Sequence, residues 1–262
     1  MTVTLVYSII VFCATLIGSL VGIGGGVIIK PMFDLVGYDT VDVVNFLSAC
    51  AVFSMSISST VKYTREKTKL NKKIVFYGAI GSIIGGISGN YMFDAILKAS
   101  GSPEVVKSIQ GVILVIILVA SIIYINLKNP KTFNIQNPFG IITVGLFLGV
   151  TGSFLGIGGG PTNVALLVLF FSMTVKESAA YSVALILFTQ ASKLVTIFAE
   201  NQFKPYDLSI LIFIIPCAVI GGILGAKINK KANEKVVKNI FSIVVAAVAV
   251  VNIYNALSIF LA

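Results

Sequence analysis

Two glycine tracts interrupt a chain that is otherwise close to hydrocarbon. "GIGGG" occupies Gly22 to Gly26 and recurs as Gly156 to Gly160. A helix that starts at such a break presents unpaired N–H groups and a partial positive charge, which together form an anion site. Gly24, Gly25, Gly26, Gly158, Gly159 and Gly160 are therefore candidate ligand-approach positions, with short helices expected from Val27 and from Pro161. Proline suits the first position of a helix. Two lysines stand inside apolar runs, Lys30 after the first break and Lys193 in "FTQASKLVTIF". A lysine at membrane depth balances an anionic substrate or snorkels to the interface. Ser48, Ser182, Gln190, Thr162 and Asn163 add neutral donors, which serve equally as bonds between helices.

Other chemistries lack their residues. The chain has no histidine, the commonest general base and metal ligand. Cys13, Cys50 and Cys217 all lie in apolar runs with no metal or disulfide spacing. GIGGG is not the GxGxxG of a dinucleotide loop, and neither HExxH nor GxSxG occurs. We expect no enzyme activity, no cofactor and no metal. The net charge of +9 comes mostly from basic loops between apolar segments, a pattern that orients a protein in a lipid bilayer and points away from nucleic acid.

The elements that hold these residues follow from composition. With 57% hydrophobic and only 11% charged residues, the chain cannot hide its apolar surface in one soluble core. It reads as an all-α, polytopic, multi-pass protein of the cell membrane. Apolar segments run at 3–36, 43–61, 74–97, 106–127, 139–172, 179–199, 208–226 and 239–262. The first and fifth would be about 50 Å long as single helices, too long for one crossing. Each carries a glycine break, so each is expected to bend into a hairpin. Basic loops at 62–73, 126–138, 172–178 and 227–238 are placed in the cytoplasm, and 37–42, 94–107 and 199–207 outside, with both termini outside. The second broken segment lies between two cytoplasmic loops and must return to the side it enters.

An odd number of crossings then separates the two halves and puts them in opposite orientation. The expected plan is two inverted-topology repeats, each a glycine-broken hairpin followed by three transmembrane helices: 1–127, a cytoplasmic linker at 128–138, and 139–262. "GGISG" (Gly85 to Gly89) and "GGILG" (Gly221 to Gly225), with Ser48 and Ser182, repeat at nearly the same offset as the tracts. These GxxxG pairs, and "GSLVG" from Gly18, are expected to serve close helix packing.

The paired tracts give the chain its resemblance to the TauE/SafE sulfite exporter family, in which each half carries a GxGGG tract followed by a short apolar stretch with proline. Here those are Gly22 to Gly26 with Pro31, and Gly156 to Gly160. The likeness covers nearly the whole chain. It implies a polytopic permease for sulfite, thiosulfate or organosulfonates, which agrees with a small anionic substrate. One departure is local: Pro161 follows the second tract directly, and Ala165 stands where the first half has Pro31. We expect alternating access, with an anion channel or a glycine-packed structural membrane protein as alternatives. Most carboxylates fall in the expected loops, Asp34 excepted, which favours export without a coupling ion.

Overall fold

A computed structural model describes residues 2–65, 70–128, 130–200 and 208–261. The described residues form ten α-helices: α1 (Thr2–Val21), α2 (Gly26–Val36), α3 (Val41–Arg65), α4 (Lys72–Ser100), α5 (Pro103–Asn126), α6 (Pro138–Phe154), α7 (Pro161–Phe171), α8 (Val175–Ala199), α9 (Leu211–Lys231) and α10 (Glu234–Leu261). Seven of these are long and apolar enough to cross a membrane, while α2, α6 and α7 are shorter. Local chemistry sets several ends. The Asn71 side chain accepts from Lys73 N, Asn137 accepts from Gly140 N beside Pro138, and Thr174 and Glu177 close a capping box on α8.

Several helices run past the expected segment ends. Lys62 and Arg65 lie in the last turn of α3, and Lys98 lies in the last turn of α4. A charged head on a long stem reaches water from such positions, so the apolar run can end before the helix does. Most of the expected outer loop at 199–207, and the middle of the basic loop at 62–73, fall outside the described residues.

Both glycine breaks are hairpin bends. The Tyr7 ring on α1 stacks on Phe33 of α2 at 3.7 Å, and the Tyr7 hydroxyl donates to Asp39 at 2.9 Å. In the second half, Phe133 N donates to Leu169 O at 2.6 Å and Ile135 N to Phe170 O at 2.9 Å. Each hairpin thus ends beside its start. The turns themselves match: Gly24 N donates to Gly18 O and Gly158 N to Gly152 O. Gly22 and Gly156, at φ 79° and 69°, enter the left-handed region at equivalent points.

Helix pairing is reciprocal between the halves. α1 packs on α9 as α6 packs on α4, α3 packs on α9 as α8 packs on α4, and α2 packs on α10 as α7 packs on α5. The GxxxG faces make the closest contacts. A Cβ on Gly85 would meet the Leu146 carbonyl of α6, and one on Gly225 the Leu16 carbonyl of α1. Large apolar side chains also cover the outside, among them Ile116, Ile123, Ile243 and Val250. Helices apolar on both inner and outer faces suit lipid surroundings.

Candidate functional site

The two hairpin tips meet each other. A Cβ on Gly26 would collide with the Ile157 carbonyl, and one on Gly160 would stand 2.6 Å from Val27 Cγ2. α3 and α8 cross over the tips, with Val52 and Ile186 against Gly24, and Val52 and Gln190 against Gly158. α2 starts at Gly26, one residue before the expected Val27, and α7 starts at Pro161 as expected. Neither start carries a side-chain cap. Gly24, Gly25, Gly26, Gly158, Gly159 and Gly160 are all buried.

Polar atoms without partners gather on the elements around these tips. Ser48 Oγ, Asn45 Oδ1, Thr162 Oγ1, Asn163 Oδ1, Gln190 Oε1 and Ser153 Oγ are buried with no hydrogen bond. The large majority of buried side-chain polar atoms find a partner, so such a group marks a place built for something beyond packing. Asn163 approaches Gly159, Gln190 approaches Gly158, and Asn45 approaches Gly156. Ser182 differs from its counterpart Ser48: its hydroxyl donates to Gly22 O.

The two lysines have different surroundings. Lys30, 6% exposed, does not snorkel. Its ammonium donates to Gln110 Oε1 at 2.6 Å and to Leu155 O at 2.9 Å, while Gln110 Nε2 donates to Phe154 O. It therefore fastens the first hairpin to the carbonyl end of α6, where a cation is favoured. Lys193, 3% exposed, lines a cavity of about 360 Å³ between the start of α3 and the ends of α4 and α8.

That cavity contains groups the sequence reading passed over. Asp42 and Asn45 come from α3, Asn90 and Asp94 from α4, and Glu200 from the end of α8. The carboxylates of Asp42 and Asp94 belong to helices, not to the loops in which composition had placed them. The missed signal is spacing. Asp42 and Asn45, like Asn90 and Asp94, are polar pairs three or four residues apart, on one helix face. Asn45 joins the two regions, because it lines the cavity and also touches Gly156. Of the residues singled out from sequence, Lys193 alone lines this cavity. Thr162 opens on a separate groove of about 220 Å³ between α5 and α7. Among the described residues no group of side chains could hold a metal ion.

Comparison with known proteins gives a consistent result. The model of a family described as Sulfite exporter TauE/SafE matches residues 7–251. The chain is 27% identical over 271 residues to the probable membrane transporter protein YunE of Bacillus subtilis (strain 168), covering 92% of this chain and 94% of that protein. It is 29% identical over 241 residues to a probable membrane transporter protein of Methanocaldococcus jannaschii, covering 87% and 86%.

Proposed function

Because the chain belongs to the sulfite exporter TauE/SafE family, whose model spans almost all of it, we propose that it is a carrier of small sulfur-containing anions such as sulfite, thiosulfate or organosulfonates. It is a membrane transporter of the multi-pass kind, and the finer reading concerns its cargo and cycle. The observation that carries this reading is Lys193, buried at a cavity whose wall, through Asn45, reaches the second glycine break. An ammonium held at membrane depth needs a counter-charge, which the carboxylates of the same cavity supply in the empty protein and a small anion can take over.

Alternating access is the cycle that suits this packing. The anion enters from the side on which Asp42 and Glu200 lie, the outer side by the loop charges, and is drawn to Lys193. Beyond it stand the hydroxyl of Ser48 on α3 and the amides of Asn163 and Gln190 beside the second glycine break. The tips block further passage, since Gly26 and Ile157 touch backbone to backbone. Transfer requires them to part while the outer cavity closes, and that distinguishes a carrier from an open channel. The reciprocal helix pairing supports two inverted repeats, 1–127 and 139–262, rocking against each other about the 128–138 linker.

The test is counterflow in proteoliposomes with sulfite, thiosulfate, methanesulfonate, sulfate and chloride. Saturable exchange of a sulfur anion, reduced about 100-fold by Lys193→Ala, is the expected result. Flux that does not saturate indicates a channel, and no exchange of any anion overturns the reading.

A further inference from the structure

The cavity at Lys193 has a filled counterpart elsewhere in the fold. Where α9 crosses α1 and α3, a Cβ on Gly222 would meet Ser58 Oγ, Ser59 Oγ and Met55 O, and one on Gly225 would meet Leu16 O and Leu20 N. Where α4 crosses α6 and α8, a Cβ on Gly86 would meet Ser192 Oγ and Thr189 O, and one on Gly89 would meet Val150 O and Phe154 N. The two crossings therefore share one register, in which Ser59 corresponds to Lys193, Ser19 to Ser153, and Ala226 to Asn90. In the first crossing the polar groups satisfy one another. Ser19 Oγ donates to Gly222 O and bonds Ser59 Oγ, both at 2.9 Å, while Tyr63 donates to Ser19 O and Asn229 to Leu20 O. Tyr63, Ala180 and Ala226 close over them as one apolar cluster. In the second crossing the counterparts of these three, Ile197, Phe46 and Asn90, line the cavity with Lys193. Ser153, 2% exposed, has no partner for its hydroxyl, although Thr151 on the same helix and Ser192 on the facing one both bond back to their own backbone. Asn90, 4% exposed, has none for Nδ2. Buried donors without an acceptor are few in native structures, and here two stand at register positions beside one buried lysine.

We propose that Ser153 and Asn90 are substrate-binding residues, which together with Lys193 hold the SO3 head of a sulfite or sulfonate anion. The inference rests on the carrier reading above and names the groups that recognise its cargo. The three side chains come from three helices, α6, α4 and α8, and each brings a donor: a hydroxyl, an amide and an ammonium. A sulfite or sulfonate head presents three oxygens to these donors, whereas chloride is a single centre. Hydrogen bonds to an ionised acceptor are shorter and stronger than neutral ones, so the anion is a better partner for Ser153 than a backbone carbonyl of its own helix. The anion thus takes the part that Ser59 Oγ and Gly222 O play for Ser19.

The test is the concentration dependence of sulfite and methanesulfonate counterflow by the full chain in proteoliposomes, beside thermal unfolding of the same preparations. Ser153→Ala removes no hydrogen bond of the structure, so its unfolding temperature stays at the wild-type value. Its half-saturating concentration rises about 10–100-fold at an unchanged maximal rate, as when a hydrogen bond to a charged ligand is lost. Asn90→Ala raises half-saturation likewise. The control is Ser19→Ala at the equivalent position, which loses the bonds to Ser59 and Gly222, unfolds at lower temperature and keeps the wild-type half-saturation. Wild-type half-saturation in Ser153→Ala or Asn90→Ala overturns the assignment and leaves the carrier standing. A Ser153→Ala protein that fails to fold, or unfolds as early as Ser19→Ala, also overturns it, since the hydroxyl is then a packing group. Absence of counterflow by the wild-type protein overturns both readings.

Discussion

Replacing Lys30 by methionine keeps the apolar stem and removes only the ammonium. That ammonium donates to Gln110 Oε1 and Leu155 O, in a place where Lys30 is 6% exposed. Hydrogen bonds to a charged donor contribute about 1.5–3 kcal/mol each, and the orphaned acceptors cannot turn to water. The expected loss is about 3–5 kcal/mol, a large share of the roughly 5–15 kcal/mol typical of a whole protein. Gln110→Leu alone also strands Phe154 O, which now accepts from Gln110 Nε2. Because Lys30 and Gln110 share one network, the double variant should be more stable than the sum of the single losses requires, by about 1–3 kcal/mol. Unfolding of purified protein in mixed micelles, followed by circular dichroism, measures the cycle. If Lys30→Met unfolds within about 1 kcal/mol of wild type yet loses anion counterflow, the clasp argument is wrong and Lys30 is a ligand group.

Other substitutions test other contacts. Gly85→Ala sets a methyl against the Leu146 carbonyl and must push α4 from α6, so thermal unfolding should show a loss of about 2–3 kcal/mol. Ser182→Ala removes the bond to Gly22 O and should cost about 1 kcal/mol by the same assay. Ser48→Ala breaks no bond, so stability should hold or rise while anion counterflow weakens; unchanged counterflow would remove Ser48 from the site. Thr174→Ala opens the α8 capping box and should cost about 1 kcal/mol.

Much of the architecture is legible in the sequence because it depends on residues close together in the chain. A glycine tract inside an overlong apolar segment forces a bend, and the structure has one at each tract. GxxxG pairs repeat on one helix face, and those at Gly85 and Gly221 lie against neighbouring backbones. The site was less legible because its groups converge from distant helices. Nothing near Lys30 in sequence indicates that Gln110 and the α6 carbonyls will hold it. Likewise Asp42, Asp94 and Lys193 become neighbours only where α3, α4 and α8 cross. Reading charges as loop markers sorted Asp42 and Asp94 by proximity to segment ends, although both have helical backbone and border a cavity. The glycine breaks suggested open helix starts, whereas the same lack of side chains lets the tips close on each other.

The reciprocal helix pairing has a consequence for how the chain is made. α1 finds its main partner in α9, which leaves the ribosome only after most of the chain, while α4 meets α6 soon after both emerge. The face of α1 bearing Thr15 and Ser19 must therefore wait in the bilayer, or in the insertion machinery, until Gly221 and Gly225 arrive to cover it. Neither half can finish folding alone, since each lacks the helix that buries its first one. Two polypeptides cut between α5 and α6 and synthesised together should still assemble, as the exchanged contacts do not depend on the linker.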